Sequence, residues 1–193
     1  MKILTIGDIV SQTGRKMVFE VLELLAPKMD FIIANCENAA HGKGLTKPVY
    51  EELCRSGIDM FTLGNHTWGC PDVAKVLEYN DNIIRPANFE GDCPGCGSAV
   101  LVSRNGVRVG VINLIGRIYM QPAANPFLTA DACIERLRNK ADIIMVDFHA
   151  EATSEKTALG YYLDGRVSAV FGTHTHVQTA DDSSLPKGTG YIT

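Results

Sequence analysis

Short apolar runs rich in β-branched residues recur along the chain at 3–6, 31–34, 60–63, 82–84, 107–114, 143–146 and 167–171. Several are continuous and do not alternate with polar residues, the pattern of strands covered on both faces. Helical patterns lie between them. Residues 15–25 place Met17, Val21, Leu24 and Leu25 on one face and are stopped by Pro27. Thr46 is placed to cap the next helix, with Pro48 in its first turn and Gly57 just past its end. Residues 71–79, 130–139 (with Thr129 as cap) and 154–163 supply three more. Strand and helix alternate throughout, without an internal repeat or linker, so the expected fold class is α/β.

The ends of these runs carry the chemistry. Residues 3–6 lead to Gly7-Asp8, 31–34 to Glu37-Asn38, 60–63 to Gly64-Asn65-His66, 143–146 to Asp147-Phe148-His149, and 167–171 to Gly172-Thr173-His174-Thr175-His176. In open α/β sheets, ligands collect in the crevice beyond the carboxyl ends of parallel strands, so these side chains are expected to converge. Four of the five histidines fall at such ends, and only His41 lies elsewhere. Each motif has a bland reading as well. Asp8 is a helix cap, Glu37-Asn38 a turn, and Gly64-Asn65 a tight turn with Asn in the left-handed region. His174 and His176 stand two apart, and on an extended segment such residues share a face.

Imidazole and carboxylate together suit Zn, Fe, Mn or Ni. Five to seven oxygen and nitrogen donors exceed what one tetrahedral site uses, so two ions sharing a carboxylate is the economical arrangement. Ions about 3.5 to 4 Å apart clamp the attacking and leaving oxygens of an in-line displacement and lower the pKa of a bridging water. That chemistry is phosphoester or amide hydrolysis. Arg85 and Arg117, near strand ends, are candidates to hold a phosphate, or else solvated or structural arginines.

Composition bounds the alternatives. A chain of 193 residues is the size of one domain with a real core. A net charge of -4 argues against a broad surface that tracks nucleic-acid phosphates, while a single nucleotide or an RNA end stays open. The first apolar run already contains Asp8 within about eight residues, a strand and not a signal peptide. No apolar stretch approaches the roughly 20 residues that span a bilayer, so no membrane partner and a cytoplasmic location are expected. Six cysteines without a secretion signal read as reduced thiols. Cys93 and Cys96 lie in a Gly-rich loop with no second CxxC to complete a zinc site.

At Gly7-Asp8, Gly64-Asn65-His66 and Thr173-His174-Thr175-His176 the sequence resembles the calcineurin-like metallophosphoesterase superfamily. The stretches Glu37-Asn38-Ala39-Ala40-His41-Gly42-Lys43-Gly44 and Asp147-Phe148-His149-Ala150-Glu151-Ala152-Thr153-Ser154-Glu155-Lys156 narrow it. They are similar to the YmdB family of 2′,3′-cyclic nucleotide phosphodiesterases, over the whole of residues 1–193. The resemblance implies a four-layer α/β/β/α sandwich and two divalent ions, Fe or Mn, with Zn the alternative. Asp8 and His176 would hold one ion with Asn38 nearby; Asn65, His149 and His174 would hold the other, and Glu37 would bridge. His66 would face the phosphate as proton donor to the leaving alkoxide, with an activated hydroxide as nucleophile.

Two positions depart from the superfamily pattern: Val10 stands where the first motif usually has His, and Glu37 where the second usually has Asp. Members of the family run well beyond position 193, so residues 1–193 are expected to be a single metallophosphoesterase domain lacking its C-terminal part. The expected substrate is a small nucleotide phosphodiester, with RNA ends and a homo-oligomeric state compatible. Rival readings are a phosphomonoesterase or 5′-nucleotidase, and a regulatory scaffold in RNA metabolism whose ions only order its loops.

Overall fold

A computed structural model describes residues 1–193. The strands form two sheets. β1 (Ile3–Ile6), β2 (Phe31–Asn35) and β3 (Met60–Thr62) make a parallel three-stranded sheet in the order β1-β2-β3. β4 (Ser98–Val102), β5 (Arg108–Ile115), β6 (Ile143–His149), β7 (Ala169–Thr173), β8 (Ser183–Ser184) and β9 (Gly190–Ile192) make the second, ordered β4-β5-β6-β7-β9-β8. Its four inner strands are parallel, and the edge strands β4 and β8 pair antiparallel.

Five helices cover the outer faces: α1 (Ser11–Leu25), α2 (Lys47–Cys54), α3 (Val73–Tyr79), α4 (Pro126–Leu137) and α5 (Thr153–Leu163). Side chains alternate across a strand, so each sheet feeds two cores. On β2, Ile32 and Ala34 pack with Val18 and Leu22 of α1 and Leu53 of α2. Phe31 and Ile33 face the other way and meet Val109, Val111, Met145 and Phe171 of the second sheet. The far side of that sheet, through Ile112, Val146 and Phe148, packs on Ala130 and Leu137 of α4 and on Leu159 and Leu163 of α5. Three stacked cores define four layers, the expected α/β/β/α sandwich.

Several local expectations are corrected. α1 begins at Ser11 and buries Val18 and Leu22, whereas Met17 and Leu24 are 57% and 71% exposed. Positions 17, 21, 24 and positions 18, 22, 25 are both apolar stripes at helical spacing, and the pattern alone does not choose between them. Thr129 lies inside α4 and does not cap it. The cap is Asn125, whose side chain accepts from Phe127 N–H at 2.9 Å, with Pro126 preset for the first turn. Thr46 occupies the N-cap of α2 without a side-chain bond. Residues 82–84 form only a lone parallel bridge, Phe61 to Ile83. β4 lies outside the apolar runs read from the sequence, although Asn105-Gly106, with Gly106 at φ 86°, is a hairpin signal joining it to β5.

The inter-sheet face changes character along the strands. It is apolar at Phe31, Ile33, Met60, Val109, Val111, Met145 and Phe171. One or two steps further, at the same alternation, it presents Asn35, Thr62, Asn113, Asp147, His149 and Thr173, all buried. This polar layer is the floor of the site.

Candidate metal centre

All eight predicted site residues come together above that floor. Asp8, Glu37, Asn38, Asn65 and His66 arrive from loops after β1, β2 and β3. His149 ends β6, and His174 and His176 follow β7, so the cluster is shared between the two sheets.

Two groups form. In the first, His176 Nε2 lies 3.1 Å from Asp8 Oδ2, and Asn38 Nδ2 is 3.3 Å from both. In the second, His149 Nε2 lies 2.8 Å from Asn65 Oδ1 and 3.2 Å from His174 Nδ1. Glu37 stands between, with Oε1 3.2 Å from His149 Nε2 and 3.0 Å from Asn38 Nδ2. A cleft of about 440 Å³ opens beside the first group, lined by Asp8, His174 and His176 among others.

Local conformation makes this convergence. His174 and His176 do not lie on an extended segment as expected. They follow the end of β7 in the left-handed region, at φ 98° and 55°. Such conformations cost about 1–3 kcal/mol each and persist where the surroundings dictate them. His174 N–H donates to Asp8 Oδ1 at 3.1 Å, one of the bonds that holds the bend. Ser11 N–H donates to the Asn38 carbonyl at 3.0 Å, which ties the start of α1 to the Glu37 loop.

Gly64 is required by close approach and not by a turn. A Cβ there would lie 2.3 Å from His149 Nε2 and 2.5 Å from Glu37 Oε2. Asn65 is not in the left-handed region. Asp8 does not cap α1 either, since the cap position is Val10.

The electrostatics fit cations. Glu37 is fully buried, which raises a carboxyl, but hydrogen bonds from His149 and from His66 N–H (2.7 Å), with the histidine charges, hold it below its usual value. Burial and the neighbouring His149 lower His174. His174 Nε2 pairs with Glu151 at 3.1 Å, which leaves Nδ1 facing inward. Glu37 Oε1, Asn65 Oδ1, His149 Nε2 and His174 Nδ1 face a common space; once His149 Nε2 gives up the hydrogen it directs at Glu37, their lone pairs would suit a positive ion. Glu37, His149 and His174 offer atoms within 4.8 Å of one another. The donor set is the imidazole and oxygen mixture of Fe, Mn or Zn sites.

Two details refine the expected roles. Asn38 presents Nδ2, not Oδ1, to Asp8 and Glu37, while Oδ1 accepts from His66 Nδ1 at 2.8 Å. As placed it orients His66; as a ligand it would turn its amide over. Arg85 does not face the cluster, because its guanidinium donates to the carbonyls of Pro86, Cys93, Pro94 and Gly95 and so holds the Cys93–Cys96 loop. Arg117 is exposed, and its backbone N–H donates to Glu155. His41 lies outside the cluster's hydrogen bonds, exposed at φ 54°.

Residue reasoning assigns no role to Asn35, Thr62 or Asn113, and it quotes Asp147, Glu151 and Thr173 within motifs without a role of their own. The available signal was period-two alternation: polar side chains at 35, 113, 147 and 173 continue the apolar inter-sheet positions 33, 111, 145 and 171.

The chain is 52% identical over its full length to the 2′,3′-cyclic-nucleotide 2′-phosphodiesterase of Bacillus subtilis (strain 168), covering 74% of that protein. The crystal structure of a hypothetical protein from Thermus thermophilus superposes with a TM-score of 0.94 at 44% identity, over 99% of this chain and 74% of that one. A crystal structure described as a novel phosphatase, from Mycoplasma pneumoniae, superposes with a TM-score of 0.91 at 38% identity, over 100% of this chain and 70% of that one. Residues 4–193 match the YmdB-like protein family, and the chain belongs to it.

Proposed function

We propose that this protein hydrolyses 2′,3′-cyclic nucleotides at a centre of two divalent ions, with Asp8 and His176 holding one ion, Asn65, His149 and His174 the other, and Glu37 between them. The observation that carries this reading is the division of six converging side chains into two donor groups that share a seventh, the buried Glu37 carboxylate. The relative from Bacillus subtilis, half identical over the whole chain, supports the substrate class. Two ions held there would polarise the phosphoryl oxygens and supply a nucleophile by lowering the pKa of water.

The protein's own part is positioning and proton transfer. Hydrolysis adds the oxygen of water to phosphorus and breaks one ring P–O bond, and the departing ribose oxygen takes a proton. His66 is placed to give it. Its Nδ1–H is fixed on Asn38 Oδ1, its backbone N–H on Glu37 Oε2, and its side chain is 31% exposed. The cleft of about 440 Å³ beside Asp8 borders the centre on the His174 and His176 side and does not reach His66. The metals proposed are Fe or Mn, and no helix is long and apolar enough to cross a membrane.

The test is hydrolysis of 2′,3′-cyclic AMP by metal-stripped protein before and after Mn²⁺ is added. Turnover that depends on Mn²⁺ is expected. A folded protein that takes up two ions yet leaves the cyclic nucleotide intact would remove the substrate assignment.

A further inference from the structure

Beneath the centre, His149 Nδ1 lies 2.9 Å from Thr173 Oγ1, and Thr173 Oγ1 lies 2.7 Å from Asp147 Oδ1. All three residues are buried, with Asp147 and His149 at 0% exposure. The direction of these bonds follows from a count of hydrogens. Asp147 Oδ2 already accepts from Thr62 Oγ1 and, at 3.1 Å, from Asn35 Nδ2. A carboxylate surrounded by three donors accepts from each. The single hydroxyl hydrogen of Thr173 therefore points at Asp147. Its lone pair is left for His149, which supplies the proton from Nδ1; Asn35 Nδ2, 3.4 Å from the same nitrogen, has its two hydrogens on the nearer Leu63 carbonyl and Asp147 Oδ2.

We propose that Asp147 and Thr173 are positioning residues: the chain Asp147–Thr173–His149 fixes a proton on His149 Nδ1 and thereby leaves Nε2, which faces Glu37 and Asn65, as the atom that gives up its hydrogen to a metal ion. A histidine ligand whose other ring nitrogen is committed in this way keeps its tautomer and orientation, and the loss of such a partner costs 10–100-fold in metal affinity. Here the partner is a hydroxyl held by a carboxylate. The carboxylate sits one alternation step back on the same strand and face as the ligand, so β6 carries both the metal-facing group and the anchor that aims it. Asn35 joins the arrangement from the opposite sheet: its Nδ2 also reaches the Leu63 carbonyl at 3.2 Å, and its Oδ1 accepts from Glu37 N–H at 3.1 Å. The floor thus links the aim of His149 to the loop that carries the shared carboxylate.

This inference rests on the reading of His149 as a metal ligand, and its test does not use phosphodiesterase activity. Affinity for Zn²⁺ is measured by chelator competition on metal-stripped wild type, Thr173→Val, Thr173→Ser and Thr62→Val. Thr173→Val keeps the shape and removes the hydroxyl, and is expected to weaken the ion held by His149, Asn65 and His174 10–100-fold. Thr173→Ser restores the hydroxyl and is expected to stay within about threefold of wild type. Thr62→Val removes a donor to Asp147 that does not touch His149, and should also stay within about threefold. In the Zn²⁺-loaded wild type, nitrogen-15 NMR should show a slowly exchanging His149 proton on Nδ1, exchanging faster in Thr173→Val. Equal affinity for wild type and Thr173→Val would overturn the proposal. So would a Thr173→Ser loss as large as that of Thr173→Val, or a His149 proton found on Nε2. Failure of cyclic-nucleotide hydrolysis alone would leave these readouts unchanged.

Discussion

His66 and Gly64 lie within two positions of each other and serve opposite needs, one for a reactive group and one for the absence of any side chain. His66 is tethered through Nδ1 and its backbone while Asn38 and Glu37 hold the tether. His66→Ala should retain its metals and lose about 10²–10⁴-fold in kcat for 2′,3′-cyclic AMP, the usual contribution of a positioned acid or base. A mutant that turns over at the wild-type rate would remove His66 from the reaction. Gly64→Ala should fail differently. The added methyl would fall 2.3 Å from His149 Nε2, so Glu37 and His149 must separate. Metal affinity should drop at least tenfold, about 1.4 kcal/mol, as read by elemental analysis after dialysis against a weak chelator. The motif that carries both residues was legible as a site in the sequence, but the reason for its glycine was not, because His149 is far away along the chain.

At the scale of elements, strands and their order of appearance were readable because buried parallel strands are continuous apolar runs. What periodicity left undecided was which stripe of α1 faces the sheet. Leu22 is 2% exposed and packs against β2, whereas Leu24, two positions on, is 71% exposed. In the 193-residue chain, Leu22→Ala should therefore cost about 2–5 kcal/mol, and Leu24→Ala less than about 0.5 kcal/mol. Denaturant midpoints of the two variants check this, and equal losses would contradict the packing of α1. The paired histidines teach a similar lesson. Spacing two apart was a sound signal of convergence, yet the bends at His174 and His176 are left-handed, a feature set by contacts with Asp8 and Glu151 rather than by local propensity. The α4 cap was misplaced for a plainer reason, since Asn125-Pro126 is itself a strong helix start and Thr129 lies four residues inside it.

For the whole molecule, the notable fact is that the donors come from both sheets. Asp8, Glu37 and Asn65 belong to the three-stranded side, and His149, His174 and His176 to the six-stranded side. The sheets are joined below by an apolar core and, nearer the site, by the polar floor, in which Asn35 and Thr62 of one sheet reach Asp147 of the other. That floor is well satisfied: Ser98 Oγ is the sole buried side-chain nitrogen or oxygen without a partner. Ions bound across the seam should stabilise the folded state as a unit. At 100 times the dissociation constant, one ion contributes about 2.7 kcal/mol, so Mn²⁺ should raise the Tm by about 5 to 10 °C for a chain of this size. His174→Ala should shrink that rise. An unchanged Tm on Mn²⁺ addition would mean that the two halves of the donor set do not act together. The layered architecture was expected from the family resemblance, while the seam itself was not, because no local pattern reports which strands of two sheets lie face to face.

The most direct test of the central claim is the electron paramagnetic resonance spectrum of metal-stripped protein titrated with Mn²⁺. A shared Glu37 carboxylate predicts two ions per chain at saturation and the many-line spectrum of an exchange-coupled pair, lost in Glu37→Ala. Saturation at one ion per chain with the six-line spectrum of isolated Mn²⁺ would contradict a dinuclear centre and the mechanism built on it.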